Sequence, residues 1–128
     1  MQTEQFVNDV AKAAGIDEHA QAYAVSRAVI ETICVYLPPE QTRRLASQLP
    51  RELAQAAEDG ARQALQTDKG VSVDTFFNEV ARRADMPVAE VTEPARVAIQ
   101  EFKQALSRSE SVDVVLEAPA ELDALLTG

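Results

Sequence analysis

Two stretches of this chain repeat one another at a separation of seventy residues. Phe6-Val7-Asn8-Asp9-Val10-Ala11-Lys12-Ala13-Ala14 and Phe76-Phe77-Asn78-Glu79-Val80-Ala81-Arg82-Arg83-Ala84 keep their apolar positions and charge classes in step. After a one-residue deletion the offset becomes sixty-nine, and Arg27, Ile30, Leu37, Pro50, Glu52 and Leu53 meet Arg96, Ile99, Leu106, Pro119, Glu121 and Leu122. Because turn residues match as well as core residues, the pattern is that of a duplicated helical unit. The sequence fixes this architecture much further than it fixes an activity.

Apolar residues recur at helical spacing almost everywhere, and strand-like alternation is scarce, so the expected fold class is all-α. Each copy has barely fifty residues, about the lower limit for independent stability, so the copies are expected to share one core. The reading is one domain over 1–128, with repeats at about 4–57 and 74–126 bridged by 58–73. It is a compact bundle of about seven or eight helices, built as two four-helix units in a pseudo-twofold relation.

The expected helices follow from breakers and caps. A first helix over 4–14 has Thr3 as its N-cap and ends at Gly15, a residue suited to the left-handed conformation. Asp17 caps a long second helix over 18–36, which Pro38-Pro39 stops, and Pro39 opens a third through 47. A fourth begins after Leu49-Pro50 and breaks at Asp68-Lys69-Gly70, with Gly60 as a weak point where it bends or breaks. In the second copy, Ser72 or Asp74 caps a helix over 73–84, and Asp85 stands where the first copy has glycine. Pro87 opens the sixth helix, which Pro94 is expected to kink or start late. Segment 110–116 aligns with the third helix but is richer in β-branched residues, and a short helix after Pro119 buries Leu122, Leu125 and Leu126.

The formal charge of −9, from 21 acidic and 12 basic residues, disfavours phosphate backbones and anionic membrane surfaces. Arg43-Arg44 and Arg82-Arg83 are short, separated basic pairs, too little for a nucleic-acid face. Cys34 is the only cysteine, which rules out an internal disulfide and points to a reducing compartment, with a buried apolar role for its thiol. No stretch approaches a membrane span and no secretory leader is evident, so the expected location is the cytoplasm.

Reactive constellations are scarce. His19 is the only histidine and lies at the start of the second helix beside Asp17 and Glu18, a solvated position. Without Glu-x-x-His, His-x3-His or Cys-x2-Cys spacing, no metal or haem is expected, and a nucleophilic triad lacks any base other than His19. Isolated glycines form no phosphate loop, so no cofactor is expected. Glu31 and Glu101 are a conceivable acid and base across the copies, though both also fit a solvated helix surface. Arg27 and Arg96 occupy equivalent points of the long helices, and each is expected to pair with a matched carboxylate, Glu52 or Glu121, as a structural ion pair.

At Leu37-Pro38-Pro39-Glu40, Leu45-Ala46-Ser47-Gln48-Leu49-Pro50 and Glu52-Leu53, the chain resembles the bacterial family called domain of unknown function 2267, along nearly its whole length. The second copy departs from the turn pattern, with Leu106-Ser107-Arg108 and Glu117-Ala118-Pro119 in those places. The resemblance implies a small helical bacterial protein and supplies no activity, cofactor or catalytic residue.

Two functions from different classes follow. The first is a non-enzymatic interaction or regulatory module whose partner is an unknown protein or a second copy of itself. The alternative is a small-molecule binder with an apolar cavity between the copies, lined by Phe6, Tyr23, Ile33, Phe76 and Phe102. An enzyme is the third possibility, and it would show clustered acids with perturbed titration.

Overall fold

The computed structural model describes residues 2–37, 39–64 and 73–107, and every regular element among them is helical. Helix α1 is Thr3–Ala14, α2 His19–Val35, α3 Pro39–Ala46, α4 Arg51–Ala64, α5 Val73–Ala84 and α6 Val88–Ser107. The expectations for 110–116, for the helix after Pro119, for the cap at Ser72 and for the break at 68–70 fall outside the described residues. Six helices lie among the described residues, and the expected count of seven or eight includes segments outside them.

Local chemistry sets the helix ends. Gly15 takes φ 69°, and the N–H groups of Gly15 and Ile16 bond back to the carbonyls of Lys12 and Ala11 at 3.4 and 2.9 Å. Asp85 does the same at φ 56°, with the N–H groups of Asp85 and Met86 reaching Arg82 and Ala81 at 3.4 and 3.1 Å. The αL turn expected of an aspartate in place of glycine is thus present. Pro39 is the first residue of α3, and Pro50 and Pro87 stand just ahead of α4 and α6, where a proline needs no helical donor.

The N-caps differ from expectation. Thr3 is already helical and Gln2 is the N-cap of α1, with no side-chain cap bond. The Thr3 hydroxyl instead donates to Glu52 at 2.8 Å, joining the starts of α1 and α4. Glu18, not Asp17, precedes α2, again without a side-chain cap. The sixth helix does not start late: it runs from Val88 through Pro94, its seventh residue, which removes one ladder donor without ending the helix.

Helix α2 is the axis of the molecule. It packs against α1, α4, α5 and α6, while α1 and α5 each also contact α6, and α3 lies against α4. Ten consecutive positions illustrate the centrality: from Ala28 to Leu37 every residue is buried, polar ones included. One core cluster takes residues from all six helices, including Val10, Ile33, Leu45, Leu53, Phe76 and Phe102. Phe6 meets Phe102 edge to face, and Phe76 meets Phe77 likewise.

Helix α4 is continuous through Gly60, so the helix does not break there. The glycine serves packing. A Cβ built there would sit 2.3 Å from the Glu31 carbonyl oxygen and 2.8 Å from the Cys34 Cβ, so α4 lies against α2 at a distance that a larger residue forbids. Alanine at an ordinary helical position gains about 1 kcal/mol over glycine. Here Gly60→Ala is expected to destabilise by about 1 to 3 kcal/mol, the usual range for overpacking. Phe76→Ala, which empties a fully buried site, should cost about 3 to 5 kcal/mol. Urea unfolding midpoints check both, and a stabilised Gly60→Ala protein would contradict the close approach.

Candidate functional site

Three helices each place two polar residues four apart on one face, and the faces meet. Helix α2 contributes Arg27 and Glu31, α4 contributes Asp59 and Gln63, and α5 contributes Glu79 and Arg83. Arg83 is at the centre, with only 7% of its side chain exposed. Its Nε donates to Glu31 Oε2 at 3.0 Å, and its Nη1 to Thr32 Oγ1 at 3.1 Å and Glu79 Oε1 at 3.4 Å. Its Nη2 donates to the Gln63 side-chain oxygen.

Glu31 is the matching acceptor. Its two oxygens take bonds from Arg27 Nη1 at 2.7 Å, Gln63 Nε2 at 2.6 Å and Arg83 Nε. Arg27 also reaches Asp59, which Arg62 contacts from one turn on. At the far end the Tyr36 hydroxyl donates to Glu79. Each buried polar atom of this array thereby meets an opposite charge or a hydrogen-bonding amide, as burial requires.

The protonation states follow. Burial would raise the Glu31 carboxyl, but bonds from Gln63, Arg27 and Arg83, together with the Arg83 charge, bring it below the ordinary glutamate value. Burial and the Glu79 carboxylate push the Tyr36 hydroxyl up to about 12, so it remains a donor. Cys34 is pushed up to about 12 by burial and stays an unreactive thiol. Among the described residues no group of three or more His, Cys, Asp or Glu side chains could hold a metal ion.

A second feature lies beside the array on α4, with Arg62 common to both. Between α3 and α4 runs an open groove of about 580 Å³ with mainly apolar walls. Thr42 and Ala46 form one wall and Ala61 the other, with Arg43, Glu58 and Arg62 along the rims.

The match to known proteins runs from the start of α1 to beyond the end of α6. A family model described as "Uncharacterized conserved protein (DUF2267)" matches residues 3–125. The chain belongs to that family. No curated protein matches it.

In this DUF2267 chain the residues singled out from sequence are distributed as follows. Arg27 turns to Glu31 and Asp59, not to Glu52, whose carboxylate receives Thr3. Arg96 lies over the Phe77 ring at 5.0 Å and 3.9 Å from Glu93, and Glu121 is outside the described residues. Phe6, Ile33, Phe76 and Phe102 are buried in the core cluster, while Tyr23 is half-buried. His19 is exposed, with Nε2 3.0 Å from Glu4. No helix among the described residues is long and apolar enough to cross a membrane.

Sequence reasoning missed Arg83, Gln63, Asp59 and Glu79. One signal was available: Arg83 stands opposite Ala13 in the repeated nonapeptide, the position where the two copies differ in charge. Its i,i+4 relation to Glu79 and that of Arg27 to Glu31 were also legible.

Removing one member of a buried pair strands the other, so Arg83→Ala should destabilise the fold by about 3 to 5 kcal/mol. Joint replacement by Arg83→Met and Glu31→Met should recover much of that loss, and a double-mutant cycle by urea unfolding measures the coupling. Because the Glu31 carboxyl is held below its unfolded value of about 4.3, its stabilisation is full above that pH. It is lost as pH falls through the lowered folded value. Glu31→Gln should therefore flatten the decline of stability below about pH 4.3, measured as urea midpoints across the acid range.

Proposed function

We propose that this chain is a non-enzymatic helical interaction module, a rigid scaffold that presents a groove to another protein. The observation carrying the reading is the α3–α4 groove, open and mainly apolar, on a helix that is pinned to α2 by the Arg27–Asp59 and Gln63–Glu31 contacts. A recognition surface needs such backing, since a preorganised groove avoids the cost of ordering at the moment of binding. The carboxylates closest to a catalytic arrangement, Glu31 and Glu79, are engaged by arginine and by each other's helices, which suits a structural role.

The scaffold is a tandem of two copies forming one domain. Two features support this: α1 and α5 close through the same left-handed turn, and each of them packs against both long helices, α2 and α6. The location is cytoplasmic, in keeping with a lone, buried, unreactive cysteine.

The test is native mass spectrometry of the chain purified gently from its own cells, followed by reconstitution from purified components. A protein partner, or a second copy, that re-forms a stoichiometric assembly is the expected result. A stoichiometric small-molecule adduct, a bare monomer, or unaided turnover of a substrate would each overturn the reading.

A further inference from the structure

The α3–α4 groove has a chemistry that selects among partners, and the following inference rests on the interaction reading above. We propose that it is a docking site for an acidic amphipathic helix of a partner protein, laid between α3 and α4. Small side chains at Ala46 and Ala61 leave room for ridges of a third helix to enter between the two walls. A groove of about 580 Å³ takes several apolar side chains from one helical face, in the manner of helix-in-groove recognition. The α3 wall is firmly seated, because Thr42 is buried there and Leu45, on the same helix, belongs to the core cluster.

Charge fixes the sign of the partner. Arg43 is exposed on one rim and has no carboxylate within ion-pair distance among the described residues, and its neighbour Arg44 is in the same condition. Across the groove Arg62 is 66% exposed, and its partner Asp59 is shared with Arg27. The molecule as a whole carries −9, which by itself would favour a basic partner. At physiological salt, however, charges beyond about 8 Å are largely screened, so the rim arginines decide locally. Glu58, on the α4 rim one turn before Arg62, sets an orientation: acidic residues of the partner face Arg43 and Arg62 and avoid Glu58.

The experiment is selection against the full chain of displayed 16-residue helical peptides, with leucine fixed on one face and Glu, Lys or Gln allowed at every flanking position. Enrichment of Glu on the flanks is expected. The enriched acidic peptide should bind at least about tenfold more weakly to the Arg43→Glu protein, and should lose binding to Ala61→Trp, which fills the groove. Arg43 is exposed, so its charge reversal leaves the fold intact even where the tryptophan does not. Enrichment of Lys, binders indifferent to Arg43→Glu, or no binders at all would overturn the groove assignment. Binders that compete with a second copy of this chain, or with a nucleic acid, would also replace the proposed occupant. Tight peptides that bind outside the groove would leave the interaction reading standing, whereas its own failure is read from the reconstitution with purified components.

Discussion

The Arg83–Glu31 pair is the contact on which the arrangement of α2, α4 and α5 depends. Its geometry uses the planar fork of arginine: one guanidinium bonds Glu31 and Thr32 on α2, Gln63 on α4 and Glu79 on its own helix. Lysine offers one point charge and could not span these directions. Buried ion pairs are seldom a large net source of stability, because desolvation offsets most of the attraction. What the array supplies is register. A slip of α5 along α2 would leave a guanidinium and a carboxylate buried without partners, a penalty larger than any apolar mismatch in the same place.

Gly60 and this array are two parts of one constraint. The missing Cβ lets α4 come against the backbone of Glu31, and only at that approach do Asp59 and Gln63 on α4 reach Arg27 and Glu31 on α2. The two contacts repeat the same spacing along both helices, one turn apart, so the polar ladder follows the line of closest approach. Apolar packing by Leu53, Ala56 and Ala57 fills the remainder of that interface. The polar and apolar halves thus specify the same alignment, the kind of agreement between levels that gives a sequence one structure.

Much of this was legible beforehand and some was not, for physical reasons. Helical periodicity, Gly15, Asp85 and the prolines state their consequences locally, so the all-α class and the ends of α1, α3 and α5 could be read directly. Gly60 was misread because propensity describes an isolated helix, whereas its role lies in what is packed beside it. Residue type alone marks Thr3 and Asp17 as caps, but a hydroxyl or carboxylate has several partners in reach once the fold closes, and the Thr3 hydroxyl donates to Glu52. Arg27 pairs with Glu31 and Asp59 while Glu52 receives Thr3, because matching between copies identifies equivalent residues, not neighbours. The candidate cavity residues shared one property, large apolar volume, which serves a packed core as well as a pocket; Phe6 and Phe102 touch edge to face.

On the proposed duplication, the polar array is also where the copies have parted. Arg83 aligns with Ala13, Glu31 with Gln100 and Tyr36 with Ala105, so the second half cannot build the ladder that the first half shares with α5. A perfectly symmetric pair of units would present two equivalent α2–α4–α5 corners, each able to accept either copy's helix. Placing the buried charges at one corner only removes that degeneracy, because α1, with alanine where α5 has Arg83, would bring no guanidinium to Glu31 and Thr32 in the place of α5. Asymmetry in charge therefore does for a repeated chain what unequal loops do for other bundles: it allows a single pairing of similar helices.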